Sequence, residues 1–158
     1  MAGDPRIHDI TLDERSVIRH SPQVDHERKV AIFDLLEDNH FEPVGLEEAG
    51  PFIVHLSIEE NRLIFDLRDK DDTPLQRFGL GASTFRRIVK DYFMVCDSYY
   101  EAIKTAAPSK IEAIDMGRRG LHNEGAEMLR ERLKEKVEVD LPTARRLFTL
   151  VCVLHIKG

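Results

Sequence analysis

The stretch MGRRGLHNEGAEML, residues 116–129, sets two adjacent arginines, a histidine, an asparagine and three glycines between segments of helical pattern. If one helix runs through it, Asp115, Arg118, Arg119 and His122 fall at i, i+3, i+4 and i+7 and share a face. Two guanidiniums offer paired planar donors to a phosphate or carboxylate. An imidazole beside them can titrate near neutrality and serve as acid or base, with Asp115 orienting the arginines. The competing reading needs no ligand. Gly120 ends one helix in the left-handed conformation, and Asn123 caps the next with Glu124 and Glu127 in its first turn. That accounts for Gly120 and Asn123. It leaves Gly117 and Gly125, each costing about 1 kcal/mol inside a helix relative to alanine, and close approach of a neighbouring element is the usual reason for such a glycine.

Arginine pairs recur at Arg86/Arg87 and Arg145/Arg146, both near expected helix starts, where the helix dipole disfavours cations by a few tenths of a kcal/mol. Either they form salt bridges to acids elsewhere in the chain, or they converge with Arg118, Arg119 and His122 on an anion. Other chemistry finds little footing. The seven histidines form no HExxH or Cys/His cluster, so no metal site is expected. Residues 69–72, DKDD, lack the glycine and glutamate of a calcium loop. No phosphate-binding glycine loop and no GxSxG is present, and no cofactor is implied. Tyr92, Tyr99 and Tyr100 read as core and rim residues. Cys96 and Cys152 sit in apolar helical patterns and read as buried free thiols.

The elements that must position these groups divide into two kinds. Residues 6–13 alternate as a half-buried strand, and Ser21 and Pro22 open a helix that runs to about Asn39 along an apolar stripe of Val24, Ala31, Ile32, Leu35 and Leu36. Residues 52–58 and 63–67 alternate around the turn EEN, and LQRFGL follows DKDD as a third strand, an antiparallel meander with one face to cover. From Ser83 the period becomes helical. One helix covers about 83–106, a second starts at Pro108, the segment 123–136 carries acids early and bases late, and Asp140 with Pro142 opens a last helix that is apolar all round. No linker separates the halves. The expected fold is α+β, a single domain over 1–158, with an antiparallel sheet and one helix packed against a helical layer of three to four helices.

The 158 residues carry a net charge of −6, distributed unevenly. Residues 1–82 have 9 Lys/Arg against 18 Asp/Glu, and residues 83–158 have 14 against 11. An acidic whole argues against nucleic acid as the partner. No apolar run is long enough to span a membrane and none near the N-terminus resembles a signal peptide, so a cytoplasmic location is expected. The apolar last helix serves either as a monomer's core or as the heart of a homodimer.

Residues 85–133, FRRIVKDYFMVCDSYYEAIKTAAPSKIEAIDMGRRGLHNEGAEMLRERL, together with TARRLFTLVCVLH and HERKVAIFDLLEDNHFEPVG, resemble a family of small uncharacterised proteins from alphaproteobacteria. The resemblance covers nearly the whole chain and implies a cytoplasmic bacterial protein, with no activity or catalytic residue to carry over. Arg118 and His122 are also similar to the Arg…His motif of small helical RNases of the HEPN type, with three residues between them where that motif has more. The function expected from the residues is a non-catalytic interaction or regulatory module. It binds an acidic protein partner or an anionic small molecule through a face bearing Arg86, Arg87, Arg118, Arg119, His122, Arg145 and Arg146. The alternative is an RNase- or phosphoesterase-like enzyme in which His122 is acid or base, Arg118 and Arg119 clamp the anion and Asp115 orients them.

Overall fold

The computed structural model describes residues 3–13 and 22–155. The elements run β1 (Ile7–Leu12), α1 (Pro22–Glu37), β2 (Phe41–Pro43), β3 (Phe52–Glu59), β4 (Arg62–Arg68), β5 (Pro74–Gly81), α2 (Ser83–Thr105), α3 (Pro108–Leu133), β6 (Val137–Val139) and α4 (Leu141–His155). The fold is α+β, an N-terminal sheet with one helix followed by a helical layer. The Ser21 cap expected for α1 lies outside the described residues.

The four-stranded sheet has the order β1-β3-β4-β5. β3, β4 and β5 form the expected antiparallel meander, and β1 joins the β3 edge in parallel. Strand alternation places Phe52, Val54 and Leu56 of β3 and Leu63, Phe65 and Leu67 of β4 in the core, none with any exposure. The two residues between β3 and β4, Glu60 and Asn61, both take positive φ (51° and 63°), the conformation of a two-residue hairpin turn matched to strand twist. A second, two-stranded sheet pairs β2 with β6 antiparallel. It escapes sequence reading because three alternating residues carry almost no periodic signal.

α4 is buried along most of its length, Leu147, Phe148, Leu150 and Val151 completely. It packs against α1 on one side and α3 on the other and also touches α2 and β3, so its apolar circumference is covered within the chain. Each such side chain contributes roughly 1.5–3 kcal/mol when removed from water. Its start follows the sequence: an Asp140 carboxylate oxygen accepts the Thr143 N–H at 2.9 Å, and Pro142 sits in the first turn. Thr143, fully buried, uses its hydroxyl to accept the His40 N–H at 2.9 Å and so ties α4 to the start of β2.

α3 settles the question raised by residues 116–129. The helix continues unbroken from Pro108 to Leu133, through Gly117, Gly120 and Gly125. Gly120 is not a helix end and Asn123 is not a cap. Local signals favoured a break, but a 26-residue helix packed on α2 and α4 gains more from continuous burial of Ala126, Leu129 and Leu133 than its three glycines cost. Gly125 is buried against α4, where the Phe148 ring fills the space that a Cβ would occupy.

A candidate anion-binding pocket between three helices

The continuous helix puts Asp115, Arg118, Arg119 and His122 on one face, and the approach of α4 at Gly125 brings Arg145, Arg146 and Thr149 opposite them. α1 supplies the third wall with His26, Glu27, Val30, Ala31 and Asp34. Together these surround a cavity of about 560 Å³. Two of the three arginine pairs therefore converge. Arg86 and Arg87 lie elsewhere: Arg86 lines a separate cavity of about 850 Å³ with Asn61, Lys90 and Met94, and donates to the Asn61 side-chain oxygen, while Arg87 is exposed on α2.

Asp115 holds the α3 arginines in place. One of its carboxylate oxygens accepts from Arg118 Nε at 3.0 Å and Nη2 at 2.6 Å, and the other pairs with Arg119 Nη2 at 2.7 Å. The bonds from Arg118 hold the Asp115 carboxyl below its ordinary range. Arg118 also lies over the Tyr99 ring, its Cζ 4.8 Å from the centroid. Burial works against its charge, and the bond to Asp115 more than offsets that, so the guanidinium stays protonated. Arg118 is fixed and 26% exposed, whereas Arg119 is 72% exposed and reaches outward.

The remaining arginines have no carboxylate of their own. Arg145 donates through Nε to the Asn123 side-chain oxygen at 2.8 Å, and Arg146 makes no ion pair or hydrogen bond among the described residues. Among the described residues, these arginine pairs form no salt bridge to the acidic half of the chain. Asp115 pairs with two of the four guanidiniums, which leaves the α3–α4 side with three positive charges in excess of it, facing a cavity that Glu27 and Asp34 also line.

His122 sits inside this field. Its ring lies between Tyr92 and Phe148, with both centroids at 5.4 Å. Nε2 is 2.8 Å from the Thr149 hydroxyl, which donates onward to the Arg145 carbonyl at 3.3 Å. With the hydroxyl proton committed there, Nε2 carries the imidazole proton. Burial, then the charges of Arg118 and Arg145, pull its pKa from 6.5 down to about 4. His122 is thus neutral at pH 7, a poor proton donor and a hydrogen-bonding brace for the wall.

On the other side, Glu27 accepts the Tyr100 hydroxyl at 3.0 Å, and the Asp34 carboxylate makes no hydrogen bond or ion pair among the described residues. Burial, then the Glu27 charge, pushes the Tyr100 hydroxyl above its ordinary range. Cys96 and Cys152 are free and buried as expected, and burial pushes the Cys96 thiol up to about 11, which leaves no thiolate for nucleophilic chemistry. Sequence reading missed Glu27, Asp34, Asn123 as an arginine partner, and Thr149. A signal existed for the first two: Glu27, Val30, Ala31 and Asp34 stand at i, i+3, i+4 and i+7, the same spacing as the α3 set.

Two other polar groups are assembled by the fold. Thr11, His55 and Asp72 are linked in series on the solvent face of the sheet, with His55 Nε2 3.1 Å from Asp72. They are cross-strand pairs and turn contacts open to water. Among the described residues, one set could hold a metal ion: His40, Glu42 and Glu138, whose ligand atoms lie within 4.8 Å of one another across the β2–β6 ladder.

Fold and pocket define an α+β protein whose central apolar helix carries one wall of an arginine-lined cavity. The chain belongs to the uncharacterised protein family UPF0262, whose sequence profile matches residues 4–157. It is 61% identical over 153 residues to a UPF0262 protein of Bradyrhizobium sp. (strain ORS 278), covering 97% of this chain and 91% of that one. It is also 61% identical over 150 residues to one of Rhodospirillum rubrum (95% and 92%), and 58% identical over 149 residues to one of Paramagnetospirillum magneticum (94% and 94%). No solved structure matches the chain. Among the described residues no helix is long and apolar enough to cross a membrane.

Proposed function

We propose that this chain is a cytoplasmic, non-catalytic binding module that takes a small anionic ligand in the α1–α3–α4 pocket. The observation that carries the reading is the convergence of Arg118, Arg119, Arg145 and Arg146 on one cavity, whose own carboxylates, Glu27 and Asp34, pair with none of the four among the described residues, while Asp115, outside the lining, pairs with Arg118 and Arg119 alone. Arginines concentrated in a partly dehydrated concavity repel one another unless a counter-charge arrives, and a phosphate supplies it through paired donors. Burial is the main cause of the depressed His122 pKa, and the two charges that add to it, Arg118 and Arg145, are both positive, which supports the same reading.

A concave site favours a small molecule over an extended acidic protein surface. The neutral, braced His122 favours binding over acid–base turnover. Isothermal titration with inorganic phosphate and pyrophosphate tests this directly. Binding at low salt that weakens steeply as ionic strength rises is expected, and a flat titration with both anions at low salt would refute it.

A further inference from the structure

The α1 wall of the pocket carries carboxylates and the α3 and α4 walls carry guanidiniums. We infer that its ligand is two-ended: a phosphomonoester whose organic body bears a protonated amine at the end remote from the phosphate. The inference rests on the anion-pocket reading and adds what the α1 wall requires.

Glu27 and Asp34, two turns apart on α1, line the same cavity as the arginines. A site for a bare inorganic anion has no use for two carboxylates in its lining, since each repels the ligand it is meant to hold. Nor are they spent internally. Glu27 accepts one neutral hydroxyl, from Tyr100, and Asp34 has no partner among the described residues. A cationic donor at the ligand's far end satisfies both, where a hydroxyl would leave the net charge of that wall uncompensated.

At the near end, the three surplus positive charges suit a dianion better than a single carboxylate, and a phosphomonoester is close to doubly charged at pH 7. The lining also has apolar members for an organic body to contact, Val30 and Ala31 on α1 and Tyr92 on α2. The size agrees: water occupies about 30 Å³ per molecule in the liquid, so free phosphate would leave most of the 560 Å³ unfilled.

The test compares ω-aminoalkyl phosphates of two to eight methylenes with alkyl phosphates of matched length, by titration calorimetry at pH 7. At the length that spans the walls, the amine is expected to tighten binding by roughly tenfold or more, the effect of one charge-assisted hydrogen bond. Asp34→Asn should erase that advantage while leaving alkyl phosphate binding intact or stronger. Glu27→Gln, whose amide oxygen still accepts the Tyr100 hydroxyl, should reduce it. Alkyl phosphates binding as tightly as their amino counterparts at every length would overturn the two-ended ligand and leave the anion pocket standing. Failure of both series together with inorganic phosphate would overturn the pocket itself.

Discussion

The ring of Phe148 on α4 occupies the space in which a side chain at Gly125 on α3 would begin. This contact sets how closely the two helices approach. The same ring meets His122 one turn earlier on α3, so the packing that excludes a methyl group also positions the pocket wall. A residue that looks like a helix breaker in the sequence is the point at which α3 and α4 lock together.

Gly125→Ala is therefore expected to destabilise the protein. The helix gains about 1 kcal/mol in propensity, but forcing a methyl group into a packed aromatic ring costs about 1–3 kcal/mol or more. Gly117→Ala and Gly120→Ala meet nothing within 4 Å and should stabilise by up to about 1 kcal/mol each. Chemical denaturation of the three variants reads the contrast. A stabilised Gly125→Ala would show that the helices have room to part.

Arg145→Ala and Arg146→Ala should each weaken phosphate binding roughly tenfold to a hundredfold, the range for a hydrogen bond to a charged group. Arg86→Ala and Arg87→Ala should leave it unchanged, because Arg86 lines a different cavity and Arg87 lies exposed on α2. Equal losses in all four would indicate a diffuse electrostatic effect of the basic half and no defined site.

The pH dependence of stability carries the signature of His122. Its folded pKa is near 4 against 6.5 for the free side chain, so the unfolded chain binds the proton more tightly. Above pH 6.5 the group contributes no pH dependence. As pH falls from 6.5 towards 4 it costs stability progressively, up to about 3 kcal/mol. Melting curves across that window should flatten in His122→Gln relative to the parent. An anion that compensates Arg118 and Arg145 raises the His122 pKa, so binding of an anion that does not itself titrate near pH 5, such as sulfate, should take up protons there, measurable from the buffer dependence of the binding enthalpy.

Asp140→Ala removes the side-chain cap on Thr143 N–H and should cost about 1 kcal/mol. Thr143→Val, nearly the same shape, takes from the His40 N–H its acceptor, the hydroxyl of the fully buried Thr143, and should cost about 1–3 kcal/mol. Thermal melts of the two variants compare the loss of a cap within one helix with that of a bond between elements about 100 residues apart.

What the sequence determined by itself is periodic and local. Alternation in 52–58 and 63–67 wrote the meander, Pro108, Asp140 and Pro142 wrote helix starts, and the apolar circumference of α4 wrote its central place. These follow from contacts within a few residues of chain. Spacing alone also aligned Asp115, Arg118, Arg119 and His122, on the condition that the helix continued. Whether it did was decided by tertiary packing, because the helix preference of Gly120 and Asn123 is worth less than the core that Ala126, Leu129 and Leu133 join. The pairing of Arg145 and Arg146 with α3, the exclusion of Arg86 and Arg87, and the placing of Glu27 and Asp34 in the same cavity link residues up to about 120 positions apart. No local rule carries that information. It resides in the approach of three helices, which a glycine against a phenylalanine ring sets.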